Sequence, residues 1–415
     1  MTIQSQQSYL QKHRFAPRQI PAPPPPDLGL VVVIPCFMET QLMRTLESLN
    51  TSQAPQCQVE VIIVFNSSEK DPDTVRSFHE RQMAEIQAWS RQKGRFSYHC
   101  LHFPQLRAKH AGVGLARKIG MDEAVERLAL AEEHEGVIVC LDGDTVVNEN
   151  YLQAIEVHFR THPKAEACSI CFAHPLDGGP FGPEIYQGIL RYELFLRYFI
   201  EGLRFAAYPY AYHTIGSAMA VRSSAYQKRG GMNRRKAGED FYFLHKFIPQ
   251  GGFAELCSTQ VTPSPRPSNR VPFGTGKAIR DWLAGEQQIF PAYDPQIFTE
   301  LKTFLQAVPA YYYQNPAALP PSVAAWATEV NLDKQLSQIR QNVGQASSFP
   351  KRFFQWFDAL KVLQFVHYAR DHFYSDAELE ANAAKLLKMM GLDGVIEPKS
   401  LLLKYRQLQS IPWSL

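Results

Sequence analysis

At 415 residues the chain is long enough for two domains, or for one large α/β domain with an appendage. Its composition, 45% hydrophobic and 20% charged, is that of an ordinary soluble globular protein. A formal net charge of +3 gives no bulk argument for nucleic acid or a membrane surface, so any anion-binding role must come from local clusters. Seven cysteines, an odd number scattered along the chain, do not read as a disulfide framework. The polar opening MTIQSQQSYLQKHRF lacks a signal-peptide core, and no apolar run approaches the roughly 20 residues that cross a bilayer. The expectation is a cytoplasmic protein of enzyme size.

Residues 1–27 read as a flexible Gln/Pro-rich tail and linker, with Pro21 to Asp27 favouring an extended polyproline strut. Strand–helix alternation follows. Leu30–Phe37 is a β-branched run suited to a strand buried on both faces, and Leu42, Leu46 and Leu49 mark a helix after it. Val59–Phe65 is a second strand. Asp71-Pro72 supplies an N-cap for a helix expected to stop at a left-handed Gly94. Phe96–Phe103 is a third strand, Val113–Glu133 a helix and Val137–Leu141 a fourth strand. Alternation repeated in this way implies a mostly parallel sheet with crossover helices. Residues 28–289 therefore read as one α/β domain. Residues 290–415 read as a helical extension, in which Ser375-Asp-Ala-Glu378 forms a capping box and Gly391 a stop.

The chemistry concentrates at two acidic motifs. Asp142-Gly143-Asp144 directly follows the fourth strand, where open parallel sheets bind their ligands. Two carboxylates separated by one glycine can converge on a hard divalent cation, Mn²⁺ or Mg²⁺, that is shared with substrate phosphates. The competing reading is a plain Asp-Gly turn. Gly238-Glu239-Asp240 opens a helical run, where a carboxylate could be a general base or simply an acidic cap favoured by the helix dipole.

Taken with Val32–Phe37, Phe65-Asn66-Ser67, Gly112 and Ala116-Arg117, these motifs resemble, in order and spacing over residues 28–250, the family 2 glycosyltransferases of the GT-A fold. That resemblance implies a Rossmann-like α/β domain with a helical C-terminal region. It also implies a nucleotide-diphosphate sugar donor, UDP- or GDP-linked, and an acceptor hydroxyl on a glycan, a lipid or a small molecule. Pro35, Phe37 and Glu39 would line the nucleotide pocket, with Asn66 at the base or ribose. Gly112 and Arg117 would lie by the diphosphate. Asp142 would face the ribose or the metal and Asp144 the metal, Asp240 would be the catalytic base, and Glu239 would orient it or the acceptor. A single displacement would invert the anomeric centre. A retaining enzyme of the same fold and a non-catalytic nucleotide-sugar-binding protein are the alternatives.

Other signals are weaker. Lys109 to Lys118 combines bases and glycines at a helix start, a natural anion site, although close helix packing explains the glycines as well. Arg266 to Lys277 is a Pro/Gly-punctuated basic loop in which Arg270 and Lys277 could reach donor phosphates, and a solvated loop is the plain alternative. Cys168 and Cys171 read as buried strand cysteines, and His245 as a packed or solvent-facing side chain rather than a metal ligand. Residues 189–205 form a core helix with one charged stripe at Glu193, Arg197, Glu201 and Arg204. A peripheral membrane contact there is the second reading. Without spans or a Gln-x-x-Arg-Trp motif, single addition is favoured over processive synthesis. Bacterial polysaccharide, glycolipid and small-glycoside settings all fit.

Overall fold

The computed structural model describes residues 9–270, 274–285, 290–314 and 318–413. Its long-range contacts divide the chain into two compact units that interleave along the sequence. One holds residues up to 175, 214–265 and 269–274; the other holds 176–213, 266–268 and 275–415.

The first unit is built on strands β1 (Leu28–Cys36), β2 (Gln58–Ser68), β3 (Ser97–Leu106) and β4 (Val137–Cys140). The β-branched run Val31 to Ile34 has no exposed surface, which is why its pattern does not alternate. β1 pairs in parallel with β2 on one side and β4 on the other, and β2 pairs in parallel with β3. β5 (Val146–Val147), β6 (Ala167–Phe172), β7 (Met219–Arg222) and β8 (Phe253–Thr262) complete an eight-stranded sheet in the order β3-β2-β1-β4-β7-β6-β8-β5. The β4–β7, β6–β7 and β5–β8 pairs are antiparallel, so the sheet is mostly, not wholly, parallel. Helices α1 (Leu42–Thr51), α2 (Asp73–Lys93), α3 (Val113–Leu130) and α4 (Tyr151–Thr161) belong to this unit.

Two local expectations change. Asp71 does not cap α2; its carboxylate takes the Ser68 amide at 2.6 Å, closing the turn before the helix. Gly94 ends α2 with φ −65°, so its amide caps Ser90 without any left-handed turn. Cys171 is also more than a buried strand thiol. It is disulfide-bonded to Cys257 between neighbouring strands β6 and β8, whereas Cys168 is buried and free.

Residues 9–27, expected from composition to be a flexible linker, are tied along α3. The Tyr9 hydroxyl donates to Asp122 at 2.9 Å, Arg14 to Glu126 at 2.5 Å, and the Gln19 and Ile20 amides to Glu123. Arg127, buried, donates to the Ala22 carbonyl and to Glu60. A polyproline segment has no internal hydrogen bonds, so its backbone groups are available for such contacts.

The second unit is helical. α5 (Pro183–Phe205) packs Leu194, Tyr198 and Leu203 into an aromatic-rich core with Phe298, Phe304, Trp326, Phe353, Phe357, Phe365 and Tyr405. Its charged stripe is internally paired: Arg197 to Glu193 at 2.7 Å, and Glu193 again to Arg406. The capping box at Ser375 does not form. Ala377–Glu378 instead pairs with Pro291–Ala292 as a short antiparallel bridge, and the next helix starts at Leu379. Gly391 does stop that helix, with φ 76°.

Candidate active site

The sheet places the acidic and strand-end motifs at one edge, because parallel strands deliver their carboxyl ends to the same side. β1 ends at Pro35 to Glu39, β2 at Asn66, and β4 at Asp142 to Asp144; α3 begins beside them at Gly112. Asn66 is buried, and its side-chain amide donates to the Gly112 carbonyl at 3.0 Å, tying the end of β2 to the start of α3. That amide is therefore partly spent on structure.

Arg117, one turn into α3, joins the two acidic motifs. One guanidinium nitrogen donates to Asp142 at 2.5 Å and the other to Glu239. Arg117 and Glu239 are both about 3% exposed, whereas Asp142 keeps about a third of its side chain in solvent. Burial would lower the Arg117 pKa, but Asp142, Cys140 and Asp240 more than offset it and the guanidinium is held charged. Arg117 thus neutralises the buried carboxylate and fixes Asp142 from behind.

Glu239-Asp240 opens α6 (Glu239–Leu244), where the helix start is set by Gly238 at φ 68°. Asp240 is half-buried and its carboxylate accepts its neighbour's amide, Phe241, at 2.8 Å. Burial raises its pKa above the usual carboxylate range; Arg117 and that amide pull the other way, and Asp142 reinforces the rise. A carboxylate with raised proton affinity is suited to general-base chemistry. Glu239, by contrast, is buried and paired with Arg117.

The Asp142-Gly143-Asp144 turn is held from below. The Thr45 hydroxyl donates to the Gly143 carbonyl at 2.9 Å, and a Cβ on Gly143 would meet the Glu39 side chain at 3.1 Å. Glu39 is buried, accepting from the Gln41 amide and from Arg270 at 2.9 Å. It supports the turn and anchors Arg270, which also donates to the Met38 carbonyl. Phe37 is half-buried, edge-on to the buried ring of His79. Lys277 lies in the helical unit, on the helix Thr275–Leu283, paired with Asp281. His245 packs on Phe241 with its ring centre 4.4 Å away, and burial lowers its pKa to about 4.

A divalent cation would fit the Asp142/Asp144 turn. Asp142 spends one oxygen on Arg117 and keeps the other, while Asp144 is half-buried one residue on. Among the described residues no group of three or more His, Cys, Asp or Glu side chains could hold an ion alone. Two carboxylates leave positions for substrate oxygens and water, as hard cations at phosphate sites require.

Sequence reasoning missed Gly216. A Cβ there would sit on the Arg117 guanidinium, and its backbone assists Asp240, so the Thr214 to Ser217 segment closes the group from a third side. An isolated glycine outside any motif carries no legible signal of that role.

The mostly parallel eight-stranded sheet with its helices is an α/β fold. Residues 31–230 match the family model described as glycosyl transferase family 2. No curated protein matches it. Among solved structures it is similar to S. aureus TarS residues 1–349 in complex with UDP-GlcNAc, at 13% identity over 91% of each chain with TM-score 0.38. Against a longer S. aureus TarS structure the match, at 16% identity and TM-score 0.35, covers 57% of this chain and 37% of that one. The mannosyltransferase PcManGT from Pyrobaculum calidifontis, in complex with GDP-Man and Mn²⁺, aligns at 13% identity over 98% and 89% of the two chains, with TM-score 0.37. No helix among the described residues is long and apolar enough to cross a membrane.

Proposed function

We propose that the chain transfers one sugar from a UDP- or GDP-linked donor to an acceptor hydroxyl, with inversion at the anomeric carbon. The observation that carries this reading is the Asp142–Arg117–Glu239 bridge, which joins two acidic motifs a hundred residues apart and sets Asp240 beside them. Asp240 takes the proton of the acceptor hydroxyl as the oxygen attacks. Its raised proton affinity fits that task near neutral pH. Glu239 and Arg117 are positioning residues: they hold Asp142 and bias Asp240 without touching substrate. Asp144 and the remaining oxygen of Asp142 would hold Mn²⁺ or Mg²⁺, which supplies Lewis-acid stabilisation of the charge on the departing nucleoside diphosphate. Attack by the acceptor and departure of the diphosphate on opposite faces, through an oxocarbenium-like transition state, invert the anomeric centre.

The test is a nucleotide-sugar panel read by nucleoside diphosphate release with Mn²⁺, Mg²⁺ or EDTA, wild type beside Asp144→Ala. Release from one donor, lost in EDTA and in the variant, is the expected outcome. Absence of both turnover and nucleoside diphosphate binding across the panel would sink the reading.

A further inference from the structure

Several basic side chains on the sheet unit are answered by carboxylates. Arg14 pairs with Glu126, Lys228 and Arg229 with Glu166, and Arg270 with Glu39. Arg107, Lys109, Arg234 and Lys236 are exposed, and none forms an ion pair with a carboxylate among the described residues. They come from two segments over a hundred residues apart that the fold brings together. The first is the turn before α3, closed by the His110 and Ala111 amides on the Arg107 carbonyl. The second lies against it: a Cβ on Gly112 would meet the Lys236 side chain at 3.2 Å, and one on Gly114 would strike the Arg235 carbonyl. His110, between them, has its pKa lowered, first by desolvation and then by these same four cations. In a chain whose net charge is only +3, four unanswered like charges on one rim repel one another and gain by meeting an anion. The uncapped N-terminus of the 18-residue α3 adds its partial positive charge at the same place.

The second segment also says which substrate meets the rim. Arg234 to Lys236 form the tip of a loop whose neck is pinned by the Asn233 amide on the Glu239 carbonyl at 2.8 Å and by the Arg235 amide on Asn233 at 3.0 Å. The neck is one residue from Asp240, the group that meets the acceptor hydroxyl. Arg235 itself is engaged over the Tyr242 ring at 3.7 Å, leaving Arg234 and Lys236 to face outward.

We infer that the acceptor is a phosphate ester, whose phosphate is seated by Arg107, Lys109, Arg234 and Lys236 while its hydroxyl meets Asp240. This rests on the transfer reading above and names its acceptor class. A neutral glycan would leave the rim unanswered.

The test uses the full chain with glycerol 3-phosphate as probe and glycerol as its neutral control. Calorimetric titration is done on protein saturated with Mn²⁺ and the nucleoside diphosphate that it binds, wild type beside Arg234→Ser/Lys236→Ser. The expected result is binding of glycerol 3-phosphate but not glycerol, weakened at least tenfold in the double variant, with nucleoside diphosphate affinity changed less than twofold. The unchanged nucleotide affinity also shows that the variant is folded. Equal loss of nucleoside diphosphate affinity would assign the rim to the donor and overturn the inference. So would failure of glycerol 3-phosphate to bind the wild type, or equal binding by the variant. If the wild type binds no nucleoside diphosphate at all, the transfer reading itself fails and takes the acceptor assignment with it, whatever the phosphate result.

Discussion

Asp240 is pulled in two directions: burial drives it toward the neutral acid, while Arg117 and the Phe241 amide favour the carboxylate. Burial wins, so the folded pKa lies above that of the unfolded chain, and the sign of its pH linkage follows. The stability contributed by protonated Asp240 is fully present below the unfolded pKa and lost as pH rises through the raised folded value. Asp240→Asn removes the base and should cut turnover by about 10²- to 10⁴-fold. Its melting temperature should equal or exceed the wild type at neutral pH, with the difference closing in acid. A variant that melts lower at pH 7 would mean that Asp240 is a structural carboxylate. Arg117 predicts the opposite pattern. Arg117→Met leaves Glu239 buried without its partner, costing about 3–5 kcal/mol, and Arg117→Met/Glu239→Gln should recover much of that. Denaturant titration of the three proteins checks the coupling, and additive losses would dissolve the bridge as a unit.

Among the elements, α3 does most to assemble the site. Its start approaches the Arg234 to Lys236 loop so closely that a Cβ on Gly114 would overlap the Arg235 carbonyl. Alanine is favoured over glycine in a helix by about 1 kcal/mol. Overpacking against backbone costs about 1–3 kcal/mol, more than that gain near a helix end. Gly114→Ala should therefore destabilise by thermal melting; stabilisation would show that the loop yields freely. The other end of α3 carries the residue 9–27 strap, and deleting residues 1–22 removes two amide bonds to Glu123 and the burial of Ile20. Each charge-assisted bond is worth about 1.5–3 kcal/mol, so the deletion should lower the melting temperature measurably; an unchanged value would make the strap a passive tail. The parallel strands and α3 were legible because buried β-branched runs and helical spacing leave a pattern. Asp142 and Asp240 were legible because acidic residues at a strand end and a helix start are local signals. The docking of Gln19 and Ile20 on Glu123, the Ala377–Glu378 bridge and the pairing of Cys171 with Cys257 were not legible. Each joins segments far apart in sequence, and neither partner carries a periodic signature.

At the scale of the whole chain, the sequence reads as a domain followed by a helical extension, because strand signals fade after Phe290. The packing supports a different consequence of the same residues. α5 lies within the stretch matched by the family model, yet Leu194, Tyr198 and Leu203 are buried with Phe298, Phe304 and Tyr405, all beyond residue 290. Glu193, fully buried, is held by Arg406 as well as by Arg197. Periodicity could mark α5 as a core helix, but not which core, since its partners begin some ninety residues later. Ending the chain at residue 289 would uncover that apolar face and leave Glu193 short of a partner. Burying one large apolar side chain is worth about 1.5–3 kcal/mol, and three of them exceed a large part of the 5–15 kcal/mol that holds a typical domain together. The truncated protein should bind a hydrophobic dye and aggregate where the full chain does not. A soluble, cooperatively melting 1–289 fragment without dye binding would mean that α5 finds another partner, and that residues 290–415 are an appendage after all.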